Sequence, residues 1–576
     1  MTTYVPPVDD IAHALQRTGY EAIAALPGFG HAGLEVTTDL LREFGRFVAA
    51  ELLPLDAVGD REGSRLGADG RVVTPAGLRQ AYAGYVAGGW GAVAFEESIG
   101  GGAFPWTVGV AMQEILASAN VAFSLCPMLT QGAVELLARW GSPSQQERFL
   151  PRLVTGEWTG TMNLTEPDAG SDVGALRATA TPRPDGTWSV NGTKIFITWG
   201  DHDLTDNVVH LVLARTPDAP PGTKGISLFL VPGVLDGERN RVRCLSLEHK
   251  LGIHASPTAV LEYDGAIGEL VGDLHGGMPA MFTMMNRARL SVGVEGLGLS
   301  ERAYQTALAY ARARHQGRRP GAVAPSPIVE HPDVRRMLLA MRADTDAMRV
   351  LIYATANAID ASVWHTDPDE RRRAAGRAAL LVPLAKAWPT DAVNVVTSTA
   401  IQVHGGAGYI EETGVAQLAR DARISAIYEG TNGIQAIDLV MRKVSLGEGD
   451  PLPELLAAMA TAAHRQTGLE GGAALAAPLA AAGADLHAAS RWIIEQRGEA
   501  ADDVLAVATP YLDVLARAVA GTLLAEEVLT PTAPHREAAA RYFLTQLLAQ
   551  RPDLGAAMAG GAAALDWLVP ESLANR

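Results

Sequence analysis

The sequence predicts a mostly α-helical protein with a central all-β domain. Long stretches before about residue 158 and after about residue 275 repeat apolar residues at helical spacing. Between them lie short β-branched and apolar runs, separated by turn sequences such as Asn191-Gly192. An Ala- and Leu-rich region without lysine begins near residue 454. We therefore predict four domains: an N-terminal helical domain at 1–158, a β domain at 159–274, a helical bundle at 275–446 and a helical extension at 454–576.

The composition of the 576 residues excludes several classes of protein. With 47 basic and 64 acidic side chains, the net charge is −17, which argues against general binding to nucleic acid or to an anionic membrane. Cys126 and Cys244 cannot form a disulfide framework or a Cys-based zinc site, and the histidines lack ligand spacing, so we predict no metal. The first residues lack the features of a signal peptide, and no uninterrupted apolar run reaches the length of a bilayer span. We expect a cytoplasmic protein.

Three stretches of the first domain have helical periodicity: 38–51, 107–119 and 127–140. Residues 28–33 fit the G-x-G-x-x-G pattern of dinucleotide-binding loops. That motif requires a preceding strand, whereas 21–26 looks helical and Pro27 interrupts it. We therefore interpret 28–33 as a turn.

Four runs of the β domain have the composition of strands: 188–198, 208–214, 226–231 and 260–263. Short strands joined by turns predict a small barrel or sandwich. Three long helices are predicted in the bundle domain: 278–314, 332–363 and 368–403. The extension carries eight Arg against fourteen Asp and Glu and no candidate active-site cluster. We expect it to serve packing or dimer contacts, because amphipathic helices must bury an apolar face.

The most informative stretch follows the mostly apolar run 424–427. Gly430 and Gly433 allow a tight turn or a close approach to a flat ligand, and Thr431 or the residue after it can cap the next helix. A poorly hydrated carboxylate has a raised pKa and is a better base toward a weak carbon acid. Glu429 is therefore a candidate base, although a solvated loop glutamate is the simpler interpretation of this stretch alone.

Four other segments suit a bulky, phosphorylated heterocycle. Residues 162–172 supply hydroxyls and exposed backbone N–H groups, although a simple Ser/Asp turn explains them equally well. Phe196 and Thr198 share one strand face and could stack on and bond to a ring, unless the Phe is an ordinary core residue. Arg314 ends a long helix, where it could bind phosphate or only complement the helix dipole. Residues 402–408 are Gly-rich and could admit a ligand to the backbone or simply cap a helix.

Together these segments, in this order over roughly residues 35–446, resemble the acyl-CoA dehydrogenase family of flavoproteins. The run 165–172, Thr-Glu-Pro-Asp-Ala-Gly-Ser-Asp, is similar to the family's flavin-edge signature, and 428–431, Tyr-Glu-Gly-Thr, is similar to its catalytic-base signature. The runs 314–317 and 252–257, with the extension, resemble the longer branch of the family similar to 3-methylmercaptopropionyl-CoA dehydrogenase. The chain departs from the family at Phe196, where Trp is common, and at 432–433, where a bulkier polar pair is common.

The resemblance implies FAD as the cofactor and an acyl-CoA thioester as the substrate. Glu429 would take the α-proton, and the β-hydrogen would leave as a hydride to flavin N5, which yields the 2-enoyl-CoA. Residues that the resemblance assigns to FAD binding are Met162, Leu164, Thr165, Gly170, Ser171, Phe196, Thr198, Arg314, Gln402, Gly405, Gly406, Thr431 and Gly433. Residues that it assigns to substrate binding are Ser171, Asn286, Arg289, Tyr428 and Gly430.

Two alternative functions remain. An acyl-CoA oxidase would pass electrons to oxygen, and the sequence does not separate it from a dehydrogenase that uses an electron-transfer flavoprotein, the acceptor that we expect. A nucleic-acid-associated scaffold would require a basic C-terminal domain, whereas this one is acidic. We also expect a homodimer or larger assembly, because in the family the region of Arg314 often serves a neighbouring subunit.

Overall fold

A computed structural model describes residues 4–321 and 323–568. The first three residues of the predicted N-terminal domain, Ala322 in the loop before the second bundle helix, and 569–576 of the predicted extension lie outside the described residues. The chain forms two compact units, Asp39–Ser291 and Met1–Thr38 with Val292–Arg576.

The part of the chain before the sheet is helical apart from a short hairpin, β1 (Arg65–Leu66) with β2 (Val72–Val73). Its α-helices are α1 (Val8–Arg17), α2 (Tyr20–Ala24), α3 (Leu34–Phe47), α4 (Leu53–Glu62), α5 (Leu78–Ala87), α6 (Trp106–Ala119), α7 (Val121–Trp140) and α8 (Pro143–Thr155). Helix α7 begins six residues before the predicted start, because the side chain of Asn120 accepts a hydrogen bond from the backbone N–H of Phe123 and caps it. Pro127 therefore lies inside the helix.

The central sheet closes into a small barrel. Its strands and the hairpin beside it are β3 (Thr159–Asn163), β4 (Thr179–Pro182), β5 (Trp188–Thr198), β6 (Val208–Arg215), β7 (Ile226–Pro232), β8 (Val234–Leu235), β9 (Glu238–Arg239), β10 (Val242–Leu247) and β11 (Thr258–Val271). Pairing runs β11–β5–β4–β6–β7 and returns to β11, while β10 joins β11 and β3 joins β6 in parallel. Val190, Val212 and Phe229 are fully buried in the core of this barrel, as the β-branched and apolar runs of the sequence require.

Three long helices and two short ones form the following bundle. Its α-helices are α9 (Gly277–Ala313), α10 (Pro332–Trp364), α11 (Pro368–His404), α12 (Val415–Ala422) and α13 (Asn432–Asp438). Helix α10 packs along α11, and α12 and α13 both contact α11. The mostly α-helical architecture with a central β domain is thus confirmed.

The extension consists of α14 (Pro451–Gln466), α15 (Gly472–Gln496), α16 (Ala501–Leu529), α17 (Pro534–Tyr542) and α18 (Leu554–Gly560). Helix α16 packs against α10, α11 and α13 of the bundle. The ring of Phe543 meets the buried ring of Trp388 edge to face, with centroids 6.1 Å apart. The extension therefore buries its apolar faces against the bundle within one compact unit.

Two described helices, α7 and α16, are long and apolar enough to cross a membrane by length and composition alone. Most of each apolar window is buried inside the protein, 83% in α7 and 67% in α16. Such burial is typical of helices that form the core of a globular domain.

Candidate active site

Glu429 lies at a corner between a 3₁₀ turn, Arg423–Ala426, and helix α13. Its φ is +56°, a left-handed conformation that is uncommon outside glycine, and Gly430 follows with φ +82°. Thr431 caps α13 by accepting the backbone N–H of Ile434 at 3.2 Å. The amide of Gln435 donates to the carbonyl oxygens of Glu429 and Gly430. The capped helix thus holds Glu429, the predicted base, in a strained and partly buried position from its C-terminal side.

A buried polar network ties this corner to α11. The Lys386 ammonium is fully buried and donates to Asn432 Oδ1 at 2.7 Å. Asn432 in turn donates to the carbonyl of Ala387 and to Thr390 Oγ1. Asn432 is one of the residues at which the chain departs from the pattern of the family that it resembles, and its side chain bonds within the protein. Sequence reasoning missed Lys386, whose signal is a lone lysine among the apolar residues of 380–388.

A second carboxyl group, that of Glu295 on α9, lies close to Tyr428 and Glu429. Glu295 is 1% exposed, and its Oε2 accepts a hydrogen bond from the phenol of Tyr428. Burial and, to a lesser extent, the charge of Glu429 raise the pKa of Glu295 to about 8, against the opposing effects of the Tyr428 hydrogen bond and the Lys386 charge. The sequence signal, a single acid in the apolar run 290–299, was also missed.

The segment after β3 is held by a buried ion pair. Lys194 Nζ donates to Glu166 Oε1 at 2.7 Å and to the carbonyl of Leu164 at 2.9 Å. Glu166 also accepts the backbone N–H groups of Arg177 and Ala178. Burial lowers the pKa of Lys194 to about 8, against the opposing effect of the Glu166 charge. These contacts fix the start of the predicted flavin-edge segment, and the sequence analysis assigned no role to either member of the pair.

Within that segment, buried Met162 lies on β3, while Leu164 and Thr165 are partly exposed. Gly170 and Ser171 are exposed, and no atom lies within 4 Å of the place that a Cβ on Gly170 would occupy. The backbone at this turn is therefore open to a ligand.

Phe196 lies on an irregularity of β5, where the register against β11 shifts between Lys194 and Ile197. Its φ is +58°, and the side chain is 58% exposed. The interpretation of Phe196 as an ordinary core residue is therefore wrong. Thr198, two residues further on, is partly exposed. An aromatic ring and a hydroxyl are thus presented at the surface of this end of the strand.

Asn286 and Arg289 lie one helical turn apart on α9, and the guanidinium of Arg289 donates to Asn286 Oδ1 at 3.3 Å. The same guanidinium lies over the ring of Phe282. These two residues and the flavin-edge segment belong to the unit Asp39–Ser291.

The predicted pyrophosphate-binding residues lie with Glu429 in the other unit. Arg314 is exposed just after α9, and Gln402 is exposed near the end of α11. Gly405 and Gly406 are exposed, with open space where a Cβ would stand, and Gly405 has φ +60°. Gly433 lies in the first turn of α13. Exposed cationic and glycine positions of this kind fit a phosphorylated ligand, and the exposed Phe196 ring with the open turn at Gly170 fits the flat flavin of FAD.

A small cleft with a cavity volume of about 20 Å³, room for about one water molecule, lies inside the unit Asp39–Ser291. Its lining is mostly apolar: Phe44, Tyr85, Trp90, Val93, Ala94, Gly109, Met112, Gln113, Leu116, Ser124, Pro127, Met128 and Gln131. Helix α7, which forms one wall, also packs against β3, the strand that carries Met162. Among the described residues, no group of three or more His, Cys, Asp or Glu side chains could hold a metal ion.

Comparison with known proteins gives matches over most of the chain. Models of the acyl-CoA dehydrogenase N-terminal, middle and C-terminal domains match residues 35–157, 161–266 and 275–444. The 3-methylmercaptopropionyl-CoA dehydrogenase of Ruegeria pomeroyi is 47% identical over 521 residues, covering 88% of each chain. A butyryl-CoA dehydrogenase of Syntrophomonas wolfei is 39% identical over 430 residues, covering 71% of this chain and 70% of the relative.

Two solved structures share the fold. Caenorhabditis elegans ACDH-11, in complex with C11-CoA, has a TM-score of 0.80 at 22% identity and covers 99% of this chain and 96% of its own. The Bacillus anthracis acyl-CoA dehydrogenase, complexed with FAD, has a TM-score of 0.72 at 21% identity and covers 91% and 86%. The chain belongs to the acyl-CoA dehydrogenase family, and it is an FAD-dependent oxidoreductase that dehydrogenates an acyl-CoA thioester.

Proposed function

We propose that Glu429 is the base that removes the α-proton of the acyl-CoA thioester. FAD, when bound, supplies the acceptor for the hydride that leaves the β-carbon. The single observation that carries the proposal is the position of Glu429, a partly buried carboxylate in a strained conformation that a capped helix and a buried polar network hold in place. Strain of this kind persists where function requires a fixed geometry.

The other residues bind and orient the reactants. The backbone N–H of Glu429 would polarise the thioester carbonyl, which stabilises the negative charge that develops during proton removal. Phe196 and the turn at Gly170 and Ser171 would hold the flavin, and Arg314 with Gly405 would hold the pyrophosphate. The bound acyl chain would cover Glu429 and exclude water from it. The loss of water would raise the pKa of the carboxyl group and make it a stronger base.

The mostly apolar cleft is the proposed pocket for the acyl chain. The cleft is narrow in this structure, and two methionines and three aromatic rings line it. The two sequence relatives named above act, by their names, on butyryl-CoA and 3-methylmercaptopropionyl-CoA, which are short. We therefore propose a short acyl-CoA, linear or carrying a thioether, as the substrate.

Anaerobic flavin bleaching against a panel of acyl-CoA thioesters tests this proposal. We expect butyryl-CoA and 3-methylmercaptopropionyl-CoA to bleach the flavin faster than palmitoyl-CoA. Faster bleaching by the long chain would exclude the short-chain assignment.

We further propose an electron-transfer flavoprotein as the acceptor and a homodimer in the cytoplasm. The named relatives are dehydrogenases, which favours a protein acceptor over oxygen. Stoichiometric peroxide release in air would instead identify an oxidase, and a monomer in sedimentation velocity would exclude the dimer.

Replacing Met128 tests the cleft directly. Met128 lies on α7, so Met128→Ala should deepen the cleft toward that helix. We expect longer acyl chains to be accepted better, by on the order of threefold for each additional methylene that the variant can bury. Bleaching rates across the acyl-CoA panel measure this preference. Met281→Ala is the matched control, because Met281 is fully buried in the same unit but does not line the cleft. An equal change of preference in both variants would contradict the pocket assignment.

Replacing Phe196 tests flavin stacking. Because the ring is 58% exposed, Phe196→Ala should change the free energy of unfolding by less than about 0.5 kcal/mol. Loss of a stacking partner should weaken FAD binding by roughly threefold to tenfold. Flavin fluorescence titration of the apoprotein measures the change, with Leu245→Ala, at an exposed apolar residue of β10, as the control. Unchanged FAD affinity in the Phe196 variant would remove the ring from the site.

A further inference from the structure

The carboxyl group of Glu295 has no role in the reaction as described so far, yet it is the buried partner of Tyr428, the residue immediately before the base. Glu295 projects from α9 within the same compact unit as Glu429. Its Oε2 accepts the phenol hydrogen of Tyr428, and its Oε1 is buried without a hydrogen-bond partner among the described residues. Burying a carboxyl group with an unpaired oxygen costs free energy, so a functional role would explain why Glu295 stands at this position.

The charges around Glu295 come from three other elements. Lys386 on α11 and Glu429 at the corner before α13 both act on it, and Asp421 on α12 acts on Tyr428. Burial raises the pKa of Tyr428 well above its usual range, so the phenol keeps its proton and remains the donor. Burial also raises the pKa of Glu295 to about 8, so near neutral pH this carboxyl group is largely uncharged.

We propose that Glu295 is a positioning residue for the catalytic base, which it holds through the phenol of Tyr428, and that its ionisation strengthens Glu429 as a base. This inference rests on the proposed role of Glu429.

The effect of ionised Glu295 on the rate of proton removal follows from the direction in which negative charge moves. When the α-C–H bond breaks and the O–H bond on Glu429 forms, the negative charge leaves Glu429 for the thioester. An ionised Glu295 beside Glu429 repels the charge while it is on the base, so it favours proton uptake there. Glu295 itself neither gains nor loses a proton during the step. The rate of proton removal should therefore rise as the pH passes through the region in which Glu295 ionises.

The rate of anaerobic flavin bleaching by saturating butyryl-CoA, measured as a function of pH, tests the inference. In the unaltered enzyme we expect a rise of roughly threefold, the size that a tenfold change in basicity gives at a Brønsted coefficient near one half. The rise should be centred near pH 8. Glu295→Gln keeps an acceptor for Tyr428 but cannot ionise, so the rise should disappear.

Two more variants separate positioning from charge. Tyr428→Phe removes the hydrogen bond that lowers the pKa of Glu295, so the rise should move to higher pH. Glu295→Ala removes the acceptor and should lower kcat, by up to about 100-fold, more than it changes KM, because a small displacement of a base costs rate. Ser300→Ala, at a buried residue of the same helix whose hydroxyl donates to Gly296 O, should keep the unaltered profile.

An unaltered pH profile in Glu295→Gln would overturn the inference. If that variant does not fold, a profile in Tyr428→Phe that does not move would overturn it equally. Glu429→Gln distinguishes this failure from failure of the proposed function. Rapid bleaching by Glu429→Gln would mean that the base itself is wrongly assigned, whereas an inactive Glu429→Gln beside an unaltered Glu295→Gln would reject only the role of Glu295.

Discussion

The Glu429→Gln variant should retain bound FAD and its yellow colour but lose flavin bleaching by acyl-CoA. Glutamine preserves the size of the side chain and the backbone geometry at this left-handed position, yet it cannot accept the α-proton. Loss of a positioned general base costs roughly 100-fold to 10,000-fold in rate, and a thioester α-C–H is a weak acid that depends strongly on that base. Stopped-flow measurement of flavin absorbance under nitrogen gives the rate.

Glu412→Gln provides the control for this variant. Glu412 is an exposed glutamate of the same unit, in the turn that precedes α12, so its replacement removes one negative charge without touching the corner. We expect an unaltered rate of bleaching. Full bleaching by the Glu429→Gln variant at the unaltered rate would remove Glu429 from the role of base.

The Lys194→Met variant should lose both stability and cofactor. Methionine preserves the length of the side chain but leaves the Glu166 carboxylate buried without its cation, and breaking a buried ion pair on one side costs about 3–5 kcal/mol. Lys194 also donates to the carbonyl of Leu164, so the predicted flavin-edge segment loses its anchor. Urea unfolding measures the stability, and the flavin-to-protein absorbance ratio after gel filtration measures retained FAD.

The same segment offers a matched pair at its surface. Arg177 and Asp168 form an ion pair in which both side chains are mostly exposed, at 79% and 66%. Exposed pairs contribute at most about 1 kcal/mol, so Arg177→Ala should change stability little and should retain FAD. Equal losses in the two variants would show that burial of the Lys194 pair is not what fixes the segment.

The architecture could be predicted from the sequence because the spacing of apolar residues in the helical domains differs from that in the β domain. The strand runs at 188–198 and 226–231 correspond closely to β5 and β7, and the helical run 332–363 to α10. The choice between a barrel and a sandwich could not be made from the sequence, because closure depends on β7 pairing with β11, which is separated from it by three other strands in the chain. Local composition carries no record of such pairing.

The residues of the candidate site also fall into two groups, those that the sequence identifies and those that it does not. Glu429 and the segment 165–172 could be found because short motifs with glycines and small polar residues carry them. Glu295, Lys386 and Lys194 could not be found, because each is a single charged residue within an otherwise ordinary helix or strand. The roles of these residues depend on burial and on partners that only the folded chain supplies. A lone charged residue in an apolar run is therefore worth examining once a structure is available.

The packing of α16 on α10, α11 and α13 ties the extension to the corner that carries Glu429. The extension covers a face of the bundle that would otherwise contact solvent or another chain. Recombination between long and short relatives at the linker would leave one partner with a bare apolar surface, which favours aggregation. A change of side-chain volume along the face of α11 that meets α16 should therefore destabilise the chain unless α16 changes with it.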